Sequence, residues 1–270
     1  MANYAPSKME LAPRDVVAKA IETEIAEGRG FGKGLDAYVV ADVRHLPKEV
    51  VLEKLHGIRE LAITFEHADP LTQPIPIRPT CHYSMGGIDV VDYKTCGTVV
   101  PGLFAAGEAS CVSIHGANRL GGNSLADAVV FGKVAGEGAV AYVAEHSQAD
   151  AKQALDDAAK YWENRFTEVT SRKDGRPIAE IRDEMANAMW NKVGIFREAG
   201  KMQEALDTLN KLIEEYKTCF VGDTNRTFNM AFVNYVEVGS LLTVAKAAVM
   251  GAMRRKESRG SHLREDFPKR

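Results

Sequence analysis

The chain has 270 residues, 45% hydrophobic and 26% charged, enough for one or two domains with a sizeable core. This balance excludes collagen-like, low-complexity and wholly disordered chains. With 34 Lys and Arg against 37 Asp and Glu the net charge is −3, so no overall basic field draws the chain to nucleic acid.

In chain order, a helix is predicted from Pro13 to Gly28, with Val16, Val17, Ala20, Ile21 and Ile25 on one face. Residues 37–43 read as a buried strand. From Pro47, the spacing of Val51, Leu55, Ile58 and Ala62 predicts a second amphipathic helix with those residues inward. From Ile75 to about Val143 the texture turns glycine-rich and apolar, with strand-like pieces at 81–84 and 102–106. Ser124 opens a long small-residue helix. Its Gly132 and Gly136 predict close approach of a neighbouring backbone, at a propensity cost of about 1 kcal/mol each.

Beyond residue 148 the pattern is helical. One stripe is Ile178, Ile181, Met185 and Met189; another is Met202, Leu206, Leu209, Ile213 and Tyr216; a third is Phe232, Val236, Leu241, Ala245, Val249 and Met253. Three such helices joined by short polar loops predict an antiparallel bundle whose Met and aromatic stripes are core. Residues 251–270 carry seven Lys/Arg and three Asp/Glu, net +4, leaving −7 on the first 250. A tail of this kind is either a docking surface for an acidic partner or a solvated helix end.

Cys81, Cys96, Cys111 and Cys219 form no CxxC and have no His at ligand spacing, so no metal site or disulfide framework is predicted and free thiols are expected. No stretch approaches 18 uncharged apolar residues, and the first 15 lack an apolar signal core. Neither a membrane span nor an export signal is expected.

The chemistry concentrates between residues 75 and 132, where polar residues sit among glycines that let backbone approach a ligand. In Asn123-Ser124-Leu125-Ala126-Asp127, Ser124 and Asp127 have capping-box spacing, which serves a plain helix start or an outward-facing N-terminus that holds an anion. Arg119, between Gly116 and Gly122, offers a fork suited to a carboxylate. His82 is either a structural histidine or, with Arg119, part of a site for a small polycarboxylate. Arg14 stands at a helix start, where a cation is locally unfavourable; it is either a surface residue offset by Asp15 or a functional one. Residues 28–34, GRGFGKG, carry Lys33 where a dinucleotide fingerprint needs glycine, and no P-loop, HExxH or GxSxG occurs.

ELAPRDVV (10–17), RPTCHYSMGG (78–87), GLFAAGEAS (102–110), HGANRLGGNSL (115–125) and RKESRGSHLREDFP (255–268) resemble, in this order, the flavoprotein subunit of the succinate dehydrogenase/fumarate reductase family. The resemblance implies an α+β fragment. Residues 1–77 would close a capping domain, 78–147 would return to an FAD-binding α/β domain, and 148–270 would form the helical domain. It implies FAD as cofactor and fumarate or succinate as substrate. Arg14 would move the proton, His82 and Arg119 would bind carboxylates, and Glu108, Asn123, Ser124 and Leu125 would contact flavin. Partners implied are an iron–sulfur subunit, which exchanges electrons with quinone, and membrane anchor subunits, at the cytoplasmic face of the membrane. The flavin-binding N-terminal half of the family pattern is absent, so a fragment inactive by itself is expected, and Ser261 replaces the usual Ala of ESRGAH. An L-aspartate oxidase-like flavoenzyme and a non-catalytic interaction fragment are the alternatives.

Overall fold

The computed structural model describes residues 1–146 and 151–269, which form two compact units, Met1–Ser84 and Met85–Arg270. The expected break at 147/148 lies outside the described residues.

In the first unit, Pro13 (φ −51°, ψ 144°) leads the chain into α1, Arg14–Ala26, whose Ala20 is buried. Arg78 pairs with Glu22 of α1 at 3.1 Å. The strand expected at 37–43 is only β1, Val39–Ala41. It is as long as its antiparallel partner, β2, Ile75–Ile77, with Val40 opposite Pro76. The helix expected from Pro47 is two: α2, Lys48–Lys54, and α3, His56–Glu66, parted at Leu55 (φ −114°, ψ 16°). The break rotates the apolar stripe, so Val51 and Ala62 are buried but Ile58 is 54% exposed. Arg59 holds Asp69 through two hydrogen bonds, 2.9 and 2.6 Å, fastening α3 to the loop after it.

Residues 81–84, at the end of the first unit, and 102–106, in the second, are not the strands expected. Short apolar runs form strands only where a partner is in register. Here the pairing is β3, Ile88–Asp89, parallel to β4, Ser110–Cys111, and residues 102–106 contribute one bridge, Gly97 to Phe104. A small core of Val90, Cys96, Ala105 and Val112 packs against Phe131, Val134 and Ala135 of α4, Asn123–Glu145. The close approach in α4 is not at Gly132 or Gly136, where an added Cβ meets open space; it is at Gly138, where a Cβ would stand 2.5 Å from the Thr95 carbonyl oxygen. Leu125, Val129, Val130, Val140 and Val143 of α4 are exposed.

The helical part comprises α5, Lys152–Ser171, α6, Ile178–Val193, α7, Ala199–Tyr216, and α8, Met230–Arg254. The expected stripes of α6, α7 and α8 converge on a core that includes Ile181, Met185, Met202, Leu209, Val238 and Val249. Leu241 departs from expectation, being 43% exposed while Leu242 is buried. Asn229 caps α8 by accepting from the Phe232 amide at 2.7 Å. Arg176 bridges Glu184 of α6 (2.5 Å) and Glu215 of α7 (2.6 Å). Contrary to the expectation of no candidate span, α8 has the length and mean hydropathy (1.4) of a membrane-crossing helix. It carries Glu237 and Lys246, and its Tyr235, Val238, Leu242 and Val249 side is packed in the bundle core.

The basic tail begins as the last turn of α8, and beyond Arg254 its described residues are neither helical nor fully solvated. β6, Leu263–Arg264, pairs parallel with β5, Phe196–Arg197. Arg264 is 2% exposed. Its Nη1 donates to the Ala252, Met253 and Arg255 carbonyls at the end of α8, and its Nε and Nη2 hold Asp266. The Arg264 guanidinium holds the Asp266 carboxyl down at about 2. His262 sits between the Arg197 guanidinium at Nδ1 (2.7 Å) and the Arg255 carbonyl at Nε2 (3.2 Å). One neutral tautomer satisfies both, with Nδ1 accepting and Nε2–H donating. Burial pushes the imidazole below its usual value, and the nearby Arg197, Arg255 and Arg264 push the same way.

Two predictions follow from this packing. In urea unfolding, Gly138→Ala should destabilise by about 1–3 kcal/mol through overpacking, whereas Gly136→Ala should be neutral or stabilise by up to about 1 kcal/mol; equal effects would contradict the placement. Because the folded state disfavours protonated His262, its contribution is complete above the unfolded value of about 6.5 and is lost as pH falls below that. The urea midpoint should therefore drop between about pH 8 and about pH 5, and His262→Gln should flatten that drop.

Candidate active site

The predicted site residues divide between the two units. Arg14 and His82 belong to the first, and Glu108, Arg119, Asn123, Ser124 and Leu125 to the second. Arg14 is the first residue of α1, exposed, directly after the Pro13 whose carbonyl takes the Val16 and Val17 amides. His82 is exposed in a segment without regular structure.

In the second unit three pieces of chain meet. Met85 to Gly87 runs alongside the turn that carries Glu108. Gly87 has φ 137°, and a Cβ there would stand 2.4 Å from the Ala109 carbonyl oxygen. Met85 Sδ accepts the Arg119 amide at 3.2 Å, which joins that strand of chain to the loop 115–122. Glu108 is exposed on a 3-10 turn, Gly107–Ala109, and Gly107 lies against α4, its Cβ direction 3.5 Å from Ala128.

The 115–122 loop is held at its start by His115, whose Nε2 lies 3.0 Å from Asp127 Oδ2. Asp127 is buried, one turn inside α4, where the helix dipole favours a carboxylate. At its end the loop passes into α4 through Gly122 in the left-handed region (φ 82°). The capping box expected from Ser124 and Asp127 does not form: α4 starts at Asn123, no side chain caps it, and Asp127 is engaged by His115 instead. Arg119 is half-buried, and its Nη1 donates to the Leu120 carbonyl at 3.0 Å.

The first turn of α4 is open to ligand. Asn123 and Leu125 are exposed and Ser124 is half-buried, and nothing lies within 4 Å of the Cβ direction of Gly116 or Gly122. An apolar side chain beside a helix N-terminus suits a planar ring that carries partial negative charge, so these residues fit a flavin edge. His115 and Met85 were not among the residues singled out by sequence, and Asp127 was read as a capping residue rather than as the partner of His115. The only local signal was the His-to-Asp spacing across the glycine-rich loop, and Met85 gives none.

Residues 2–125 match the FAD binding domain model, and residues 182–270 match the model of the fumarate reductase flavoprotein C-terminus. The chain is 50% identical to the 8-methylmenaquinol:fumarate reductase flavoprotein subunit of Wolinella succinogenes over 271 residues, covering 100% of this chain and 44% of that protein. It superposes with a TM-score of 0.87 on a quinol-fumarate reductase solved with menaquinol molecules, at 42% identity, over 97% of this chain and 45% of that one. A Mycobacterium smegmatis Sdh1 complex in the apo form gives a TM-score of 0.81 at 36% identity, over 96% of this chain and 43% of that one. The chain thus spans less than half the length of the relatives it matches. Within that span, its two family models and its relatives agree: the chain belongs to the flavoprotein subunits of the fumarate reductase/succinate dehydrogenase family.

Proposed function

We propose that the protein to which these residues contribute interconverts fumarate and succinate. The observation that supports this reading most is the tethered Arg119 loop leading directly into the open first turn of α4, a guanidinium suited to a carboxylate next to a helix start that fits flavin. Bound FAD supplies the hydride donor or acceptor at its N5.

His82 and Arg119 hold the substrate carboxylates in this reading, and Arg119 offers its fork bidentately. Arg14 delivers the proton to fumarate carbon, or takes it from succinate. A free guanidinium stays protonated at pH 7, so Arg14 acts as a relay that gives its proton only to a substrate stripped of water and is then recharged by neighbours. It stands at the start of α1, where the positive end of the helix dipole is an unfavourable neighbour for a cation. Glu108, Asn123, Ser124 and Leu125 contact the flavin, and the α4 N-terminus favours negative charge on the ring.

Electrons pass to or from quinone through an iron–sulfur subunit in a complex anchored at the cytoplasmic face of the membrane; quinol appears in the names of the fumarate reductase relatives. Residues 1–77 serve as the end of a capping domain, 78–147 as part of the FAD domain and 148–270 as the helical domain. The exposed apolar side of α4, with Val129, Val130, Val140 and Val143, supports a cofactor cradle that needs more chain than these 270 residues.

In the flavin-loaded protein, Arg14→Gln should lower fumarate reduction by at least about 100-fold while flavin content, read from the visible flavin absorbance, stays unchanged; retained turnover removes Arg14 from proton transfer. Arg119→Ala should weaken dicarboxylate binding by about 2–5 kcal/mol, and an unchanged Michaelis constant would contradict its role.

A further inference from the structure

The C-terminal tail reaches back, across 144 residues of sequence, to the loop that carries Arg119. The carbonyl oxygen of Ala117 accepts two hydrogen bonds from one residue, the Ser261 amide at 3.1 Å and the Ser261 hydroxyl at 2.9 Å. Gly260 makes the approach possible. Its φ is +60°, and a Cβ there would stand 2.5 Å from the same Ala117 oxygen and 3.0 Å from the Ala117 side chain.

The base of this clamp is rigid. Arg264 is buried and fastened to the last carbonyls of α8 and to Asp266. The Ser258 hydroxyl accepts the Arg264 amide at 2.8 Å and lies 2.8 Å from the Phe267 carbonyl. His262 bridges Arg197 and the Arg255 carbonyl. The tip of the tail is therefore fixed relative to the helical bundle, and what it grips is fixed with it. It grips the loop two residues before Arg119, between the His115–Asp127 pair and the Met85 contact.

We infer that Ser261 is a positioning residue for Arg119: through its double hydrogen bond to Ala117, the tail holds the loop that presents the guanidinium to a substrate carboxylate. The loop is exposed at Gly116, Asn118 and Leu120, so burial does little to hold it, and hydrogen bonds to its backbone set its place. The hydrogen bond from the backbone N–H survives any substitution at 261 except proline; the hydroxyl bond is the separable part. This inference rests on Arg119 binding a dicarboxylate, but the clamp itself does not.

The test uses Ser261→Ala, Ser261→Thr and Gly260→Ala in the flavin-loaded protein, with two readouts. Amide hydrogen exchange reads the clamp without reference to activity. Ser261→Ala should speed exchange at residues 116–120 by about two- to tenfold, the effect of losing one net hydrogen bond, and leave α7 and α8 unchanged. Steady-state fumarate reduction reads its purpose. Ser261→Ala should raise the Michaelis constant by a similar factor with kcat and flavin content unchanged. Ser261→Thr, which keeps the hydroxyl, should behave as wild type, and Gly260→Ala should exceed Ser261→Ala in both readouts. Unchanged exchange at 116–120 in Ser261→Ala overturns the clamp. Faster exchange with an unchanged Michaelis constant, or with a fall in kcat alone, overturns the positioning role. A wild-type flavoprotein that does not reduce fumarate overturns the functional reading and leaves the exchange result to decide the clamp.

Discussion

A guanidinium distinguishes a carboxylate by the fixed geometry of its fork, so its value as a binding group depends on how still its backbone is kept. The loop from His115 to Gly122 meets that demand with almost no hydrophobic burial of its own. It is tied by the His115–Asp127 pair at one end, by the Met85 sulfur at the Arg119 amide, and by Ser261 at Ala117. Each tie joins the loop to a different part of the second unit: α4, the segment before β3, and the C-terminal tail. Much of the remaining architecture of that unit can be understood as supplying those three anchor points. Asp127 is buried because α4 packs on the small core around Val90 and Cys96, and it is paired there with His115.

The bundle has a second task besides its own core. Its stripes bury Ile181, Leu209, Leu212, Val238 and Val249 completely, which is ample to keep α6, α7 and α8 together without any functional residue among them. Arg264 converts that stability into position. A fully buried guanidinium is tolerable only when its donors are used, and here the two Nη1 hydrogens are shared among three carbonyls at the C-terminal end of α8, while Nε and Nη2 hold Asp266. The basic character of residues 251–270 is thus partly internal. Arg264 serves the fold, and Arg255 and Arg259 lie near Glu257.

The helices of the bundle and α1 were legible in the sequence because their apolar residues recur at three and four positions; burial follows that period in α6 and α7, is offset in the first half of α8, and in α1 reaches completion only at Ala20. Periodicity cannot report a single residue that breaks a helix without proline or glycine at the break, which is why Leu55 parts α2 from α3 unannounced. Nor can it say which of several glycines meets another backbone: Gly132, Gly136 and Gly138 look alike in α4, and only the path of Thr95 singles out Gly138. The short strands were misplaced for the same reason, since two- and three-residue strands are defined by a partner distant in sequence. In the site, Arg119 and the Ser124 helix start stood out through their glycine-rich surroundings. Asp127 was visible but given the wrong partner, because a capping box and a buried ion pair share one spacing. Ser261 was visible only as a departure from a motif; its contact spans 144 residues and no local rule reaches that far.

The central claim is that the 115–122 loop, with Arg119, is where a small dicarboxylate binds. Hydrogen exchange of the flavin-loaded protein with and without succinate tests this most directly, because it reports binding residue by residue whether or not turnover follows. The account predicts slower exchange on addition of succinate at the amides of residues 116–122 and around His82, and no change in α6 to α8. Protection confined to other segments, or none at a succinate concentration that saturates the protein, would contradict it.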